Sequence, residues 1–139
     1  MTALLARLRN EEDGVVTAFV VVIALALMLF AGLVYDGGMA LRAKVEAVDE
    51  AGAAARAGAQ ELDLTALRST GTVTLDPSAA DGAAESYLAA IGRTGTVAVN
   101  GDEVTVTVSF QQPTALLGIA GIRSFSVSGS GSATATEGP

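Results

Sequence analysis

GVVTAFVVVIALALMLFAGLVY, residues Gly14 to Tyr35, is the stretch that decides the architecture of this chain. It carries no charged residue and consists mainly of Val, Leu, Ile, Ala and Phe. At ~1.5 Å per residue, a helix over residues 15–35 covers the ~30 Å hydrocarbon core of a bilayer. Each large apolar residue favours insertion by about 0.3 to 0.6 kcal/mol. Because a cleavable signal has a shorter apolar region of ~7–15 residues, we predict a retained transmembrane helix.

The charged residues that flank this run predict its orientation. Arg7 and Arg9 precede the run, and Arg42 and Lys44 follow it, so the basic residues on the two sides nearly balance. The shortness of the N-terminal tail then favours a cytoplasmic N-terminus. We therefore expect a single-pass protein of the cell membrane, with the lipid bilayer as a partner and its C-terminal part outside the cell.

The composition leaves room for one small domain and excludes several kinds of chemistry. The 139 residues include no Cys and no His, which removes thiolate and imidazole ligands and His-activated nucleophiles. A net charge of −7 with scattered basic residues argues against nucleic acid as a partner. Asp76, Asp81 and Glu85 have helical spacing, but acids at the start of a helix explain them. We expect no catalytic residue, no metal site, no cofactor and hence no enzymatic activity.

Small residues recur at steps of three and four after the apolar run, which predicts that the helix continues as a stalk to about Leu62. Gly37 and Gly38 are its weak point, because two glycines cost about 2 kcal/mol of helix propensity. The stripe of small residues has two open roles: packing under the chain's own sheet, or close contact with a helix of another subunit. This small-residue stripe consists of Ala40, Ala43, Ala47, Ala51, Ala54 and Gly58.

The segment after the stalk begins with a predicted strand and a predicted helix. Thr72 to Asp76 alternates as a short strand does, and Asp76-Pro77 is a typical helix start. The helix has an apolar face and ends at Gly92. That face consists of Ala80, Ala84, Tyr87, Leu88 and Ile91.

Further strands are predicted towards the C-terminus. Alternating residues on both sides of Asn100-Gly101-Asp102 predict a β-hairpin, whereas a calcium loop would need more oxygen ligands. Residues 124–136 alternate strictly, which predicts a strand with one buried face. Gly129 and Gly131 on that face predict the close approach of another backbone, with a flexible Ser/Gly linker over 128–132 as the alternative.

These elements together predict the α+β class. An N-terminal transmembrane helix continues into a long helical stalk, and a small head follows with one helix and a mainly antiparallel sheet of three or four strands. The apolar loop from Pro113 to Ile122 either closes the end of the head core or forms a patch that binds a partner. The residues of this patch are Leu116, Leu117, Ile119 and Ile122.

The order of these pieces resembles the TadE/TadG-type pilus assembly proteins, and more specifically their short actinobacterial members. The resemblance rests on the junction Asp13-Gly14 before the run VVTAFVVV, and on Asp36-Gly37-Gly38 before an Ala-rich helix. Later pieces, at residues 75–77, 104–106, 113–118 and 127–133, add to it.

The resemblance implies a minor pilin-like structural subunit of a tight-adherence, or Flp-type, pilus or secretion apparatus. Its implied partners are other pilin-like subunits, the pilus or secretion machinery, and a prepilin peptidase that would cut between Gly14 and Val15. Related pilins usually carry Glu at the fifth position after the cut, where this chain has Phe19. The alternative is therefore an uncleaved single-pass envelope adaptor or scaffold protein of a secretion system. The expected organisation is a leader or tail at 1–14, a transmembrane helix at 15–35, a stalk at 36–62 and an external head at 63–139.

Overall fold

A computed structural model describes the backbone of residues 2–135 and the side chains of residues 14–135. The side chains of the predicted tail at 1–13 and the predicted end of the head at 136–139 lie outside this described part. The helices are α1 (Thr2–Gly58), α2 (Leu64–Thr70) and α3 (Pro77–Ala90). The strands are β1 (Gly95–Asn100), β2 (Glu103–Pro113) and β3 (Ser124–Thr134). A 3-10 helix covers Leu117–Ala120, between β2 and β3.

The predicted α+β class, with a long N-terminal helix and a small sheet, is confirmed. The sheet has three antiparallel strands in the order β1-β2-β3. The chain divides into two compact units, which are described separately: Met1–Gly38 with Thr114–Arg123, and Met39–Pro113 with Ser124–Pro139. The first unit contains the apolar run, and the second contains the sheet. Gly37 and Gly38 have helical backbone in α1.

Two predicted features of the head are corrected by the structure. Residues 72–76 do not form a strand, because their pairing is limited to an isolated bridge between Leu75 and Leu62 in the connection between α1 and α2. The apolar face of α3 is narrower than predicted: Ala80, Ala84 and Leu88 are buried, whereas Tyr87 and Ile91 are exposed.

Aspartates start both short helices of the second unit. The carboxylate of Asp76 accepts hydrogen bonds from the two backbone N–H groups two and three residues further on, at 3.0 and 3.1 Å. Asp63 does the same at 2.9 and 3.0 Å and so starts α2, a helix that the sequence patterns did not predict. Gly71 ends α2 with a φ of 70°, a value that glycine adopts without strain.

The strands on either side of the predicted turn pair with each other. Asn100 pairs with Glu103 around a two-residue turn in which Gly101 has a φ of 67°, so the predicted hairpin is confirmed. β3 pairs with β2 along its whole length, from Ser124 to Thr134, which makes the linker alternative for 128–132 wrong.

The core of the second unit lies on one face of the sheet. Val104, Val106 and Val108 of β2 are fully buried there, while the serines of β3 point to the other, exposed face. Because the helical residues that cover the sheet are mostly alanines, the helix axes can lie close to it. The buried residues of α1 and α3 in the two core clusters are Ala43, Ala47, Ala51, Ala54, Ala55, Ala80, Ala84 and Leu88.

Two glycines of β3 allow α1 to touch the sheet. A Cβ atom added at Gly129 would lie 2.5 Å from the carbonyl carbon of Ala47, and one added at Gly131 would lie 2.5 Å from the Cα of Gly52. Separations below 3 Å are not found for real Cβ atoms, so a side chain at either position would force the backbones apart. The predicted close approach of another backbone is confirmed, and the backbone belongs to α1.

Arg93 joins the start of β1 to α1 by charge. Its guanidinium donates to the carboxylate of Glu50 at 2.9 Å and to that of Glu46 at 3.1 Å. The same group lies 3.9 Å from the ring centroid of Phe110 on β2. Since 25% of the Arg93 side chain is exposed, water screens these attractions in part.

Replacing Gly131 by Ala is expected to destabilise the second unit by about 1–3 kcal/mol, because the new methyl group overlaps the backbone of α1. Gly82→Ala is the matched control, since an added Cβ there meets nothing within 4 Å. As Gly82 lies within α3, that change should stabilise by up to about 1 kcal/mol. Hydrogen exchange of the β2 and β3 amides in the full chain in detergent measures both effects. Equal protection in the two variants would contradict the close packing.

Arg93→Met keeps an apolar stem of similar length but removes the charge, so we expect a loss of about 1–2 kcal/mol in the same exchange measurement. The loss should shrink at high salt, which screens the ion pairs in the unsubstituted chain. Arg68→Met, at an exposed position of α2, is the control and should stay within about 0.5 kcal/mol. Equal losses at low and high salt would show that the charges contribute nothing.

Candidate functional site

The apolar part of α1 presents its side chains to the surroundings. Every Val, Leu, Ile and Phe between Val15 and Val34 is exposed by more than 40%. Among the described residues, one helix, Gly14–Gly58, is long and apolar enough to cross a membrane, and its most apolar window has no buried share. Lipid is the solvent in which such a surface is stable.

Asp36 closes the apolar run and is the one charged residue of the first unit whose side chain is buried, among those described. Its carboxylate accepts three backbone hydrogen bonds from the loop 114–123. Oδ1 lies 2.8 Å from the nitrogen of Ala115, and Oδ2 lies 3.0 Å from that of Leu116 and 2.6 Å from that of Leu117. Donors of this kind stabilise the charged form of a carboxylate, so the loop and the ionised Asp36 stabilise each other.

The loop is also closed by its own hydrogen bonds. The N–H of Thr114 donates to the carbonyl of Arg123 at 3.0 Å, and the hydroxyl of Thr114 donates to the carbonyl of Ile122. The 3-10 helix lies between these ends, and Gly121 terminates it with a φ of 91°. The loop is therefore a compact, ordered element.

An apolar groove runs between the loop and the apolar helix of the same unit. Its volume is about 390 Å³. A Cβ atom added at Gly32 of the helix would lie 3.2 Å from the Cβ of Leu116, which shows how closely the loop approaches. The groove is lined by Ala26, Leu29, Phe30, Leu33, Leu117, Ala120 and Ile122.

The four residues of the predicted partner patch do not share one environment. Leu117 is buried, whereas Leu116, Ile119 and Ile122 are exposed, and Ile119 reaches 86%. The loop groups with the apolar helix in the first unit, although we had expected that it could close the end of the head core.

The other predicted site residues lie on α1. Gly14, Val15 and Phe19 are exposed, and a Cβ atom added at Gly14 meets nothing within 4 Å. The small-residue stripe lies in the second unit and faces the sheet. Ala40 is half-buried, and Ala43, Ala47, Ala51, Ala54 and Gly58 are buried.

Carboxylates of the second unit serve its structure. Asp76, one of the acids considered for catalysis, is the N-cap of α3. Among the residues whose side chains are described, no three Asp, Glu, His or Cys come together as metal ligands would.

The role of Asp36 could not be predicted from sequence spacing, because its hydrogen-bond donors lie some 80 positions further along the chain. A signal was nevertheless present. A carboxylate that directly follows an apolar run is costly next to lipid unless donors satisfy it, and the apolar loop 114–122 has backbone N–H groups to offer.

Comparison with known proteins finds one family model that matches part of the chain. Residues 14–61 match the family model described as putative Flp pilus-assembly TadE/G-like, which confirms the resemblance inferred from the sequence. The matched segment contains the apolar run, Asp36 and the small-residue stripe. No curated protein and no solved structure matches the chain. The family indicates a role in pilus assembly, and the apolar helix fits a membrane-anchored protein.

Asp36→Ala should remove the three acceptors of the loop, so the amides of residues 115–117 should exchange about tenfold faster or more. Asp36→Asn keeps one acceptor oxygen and should give an intermediate rate. Asp49→Ala, at an exposed acid of the same helix, is the control for lost charge and should leave these amides unchanged. Exchange measured by mass spectrometry on the full chain would contradict this assignment if all three variants behaved alike.

Proposed function

We propose that this chain, whose residues 14–61 belong to the TadE/G-like Flp pilus-assembly family, is a minor pilin-like structural subunit of a tight-adherence pilus or secretion apparatus. The observation that carries the proposal is a difference in burial between the two halves of the segment 14–61. Its apolar half exposes every large side chain, whereas the small-residue stripe of the other half is mostly buried under the chain's own sheet. The apolar half is therefore available to lipid or to neighbouring subunits, and the stripe is not.

This division supports an assembly surface on the apolar part of the helix. The stripe from Ala43 to Gly58 already packs against β3 and α3, and Gly129 and Gly131 leave no space for a second helix there. Assembly by helix packing then uses residues 15–35. Contacts with the helices of neighbouring pilin-like subunits replace the contacts of these residues with lipid. The function is structural and involves no chemistry of the chain's own.

The proposed topology is the one predicted from the sequence. The short tail at residues 1–14 is cytoplasmic, residues 15–35 cross the membrane, and the sheet-bearing unit lies outside the cell. In this orientation the junction Gly14-Val15 faces the cytoplasmic side, where a prepilin peptidase would cut it. Cutting removes the charged tail and frees the helix to leave the bilayer.

The alternative function is an uncleaved envelope adaptor or scaffold of a secretion system, and Phe19 favours it. A newly cut amino terminus at Val15 would carry a charge next to lipid, and it needs a carboxylate to pair with. The fifth residue after the cut is Phe19, which is 64% exposed and offers no charge. An intact N-terminus avoids this cost.

Cleavage is tested by the intact mass of the chain purified from native membranes. A mature chain that begins at Val15 supports the pilin-like subunit, and one that begins at Met1 supports the adaptor. Gly14→Val should abolish cleavage and leave the full-length mass, because the β-branched side chain replaces the glycine of the junction. Gly37→Val is the matched control, since Gly37 also has open space around it, and should be cut like the native chain.

A further inference from the structure

We infer that the loop 114–123 inserts into the outer leaflet of the membrane, with Ile119 and Ile122 in contact with lipid chains. This inference depends on the proposed membrane anchoring and topology. It assigns to the loop a binding surface for lipid, whereas the family match at residues 14–61 does not include the loop.

The position of the loop along the apolar helix is the first argument. The groove between them extends along α1 from Leu33 to Ala26. At ~1.5 Å per residue, Ala26 lies about 15 Å along the helix axis from Asp36, which is about half the thickness of the hydrocarbon core. If residues 15–35 span the bilayer, residues of the loop lie at the depth of the outer leaflet.

The side chains of the loop suit that depth. Between Pro113 and Arg123 it carries no charge. Ile119 is 86% exposed and Ile122 is 46% exposed, so these two apolar side chains of the loop are open to the surroundings. In water this arrangement would leave apolar surface exposed next to an already exposed apolar helix, which is unfavourable.

The backbone of the loop supplies an independent argument. Irregular backbone is unfavourable near lipid because its polar groups lack water as a partner. Asp36 accepts from the N–H groups of residues 115, 116 and 117. The N–H groups of residues 114, 119, 121 and 122 donate to carbonyl oxygens within the loop, at 3.0 to 3.2 Å. A loop with these seven donors satisfied can enter the boundary between headgroups and acyl chains.

Lipid fits this surface better than the helix of a neighbouring subunit does. Helices that pack in membranes approach through small residues and hydrogen bonds. The groove instead exposes large side chains such as Phe30 and Leu33, with no polar side chain among its lining residues to fix the direction of a partner. Flexible acyl chains fill such a groove without a defined geometry.

Single-cysteine labelling tests this inference directly, because the native chain contains no Cys. Ile119→Cys in the full chain carries the polarity-sensitive fluorophore NBD after reconstitution into phosphatidylcholine vesicles. Leu27→Cys, exposed on the apolar helix, is the control for lipid contact, and Asp102→Cys in the hairpin turn is the control for water contact. Spin labels on the lipid chains quench fluorophores in the bilayer, and iodide quenches those in water. Because Ile119 is so exposed, its substitution should leave the protection of the β2 and β3 amides unchanged.

The inference predicts that NBD at position 119 is quenched by the lipid spin labels and protected from iodide, as at position 27 and unlike at position 102. If position 27 is in lipid but position 119 is quenched by iodide, the loop is in water and the inference is overturned. If position 27 itself is in water, the membrane anchoring in the proposed function fails. If quenching at 119 by lipid disappears as the protein-to-lipid ratio rises while quenching at 27 persists, a second copy covers the loop, and the inference is overturned in favour of self-association.

Discussion

The contact on which the second unit depends is one between backbones. Gly129 and Gly131 have no side chain, and they lie against the backbone of α1 at Ala47 and Gly52. A Cβ atom at either glycine would prevent the helix and the strand from coming this close. This contact brings the alanines of the helix over the valines of β2 and closes the core with few large residues. It also covers most of the small-residue stripe, whereas the apolar half of the helix keeps its large side chains exposed.

Much of this arrangement follows from local patterns. An uncharged run that can span a bilayer, Asp76-Pro77 before a helix, and Asn-Gly between alternating strands each reflect short-range physics, and the structure has all three elements. Gly129 and Gly131 on the buried face of β3 even predicted where another backbone would come close. The sequence could not identify the element to which that backbone belongs, because small residues on a helix suit a strand and a second helix equally well.

The failures have a common cause in contacts between distant residues. The segment 72–76 has the pattern of a strand, yet its bridge partner is Leu62 and no strand runs beside it. Periodicity puts Tyr87 and Ile91 on the apolar side of the predicted helix, but both are exposed, and Ile91 lies just beyond the end of α3. Sequence spacing gives no indication of the three donors of Asp36, because they belong to a loop some 80 positions further along the chain. Sequence spacing therefore predicted the helix and the apolar loop of the site. The hydrogen bonds between Asp36 and that loop depend on tertiary contacts and could not be predicted.

A core built from alanine, glycine and valine has a thermodynamic consequence. Unfolding such a core exposes less apolar surface per residue than unfolding one built from leucine and aromatics. The heat-capacity increment of the second unit should then fall below the usual ~12–15 cal/mol/K per residue. A smaller increment gives a flatter curve of stability against temperature. The part of the chain assigned to the cell exterior would thus keep a nearly constant, modest stability over a broad range of temperatures.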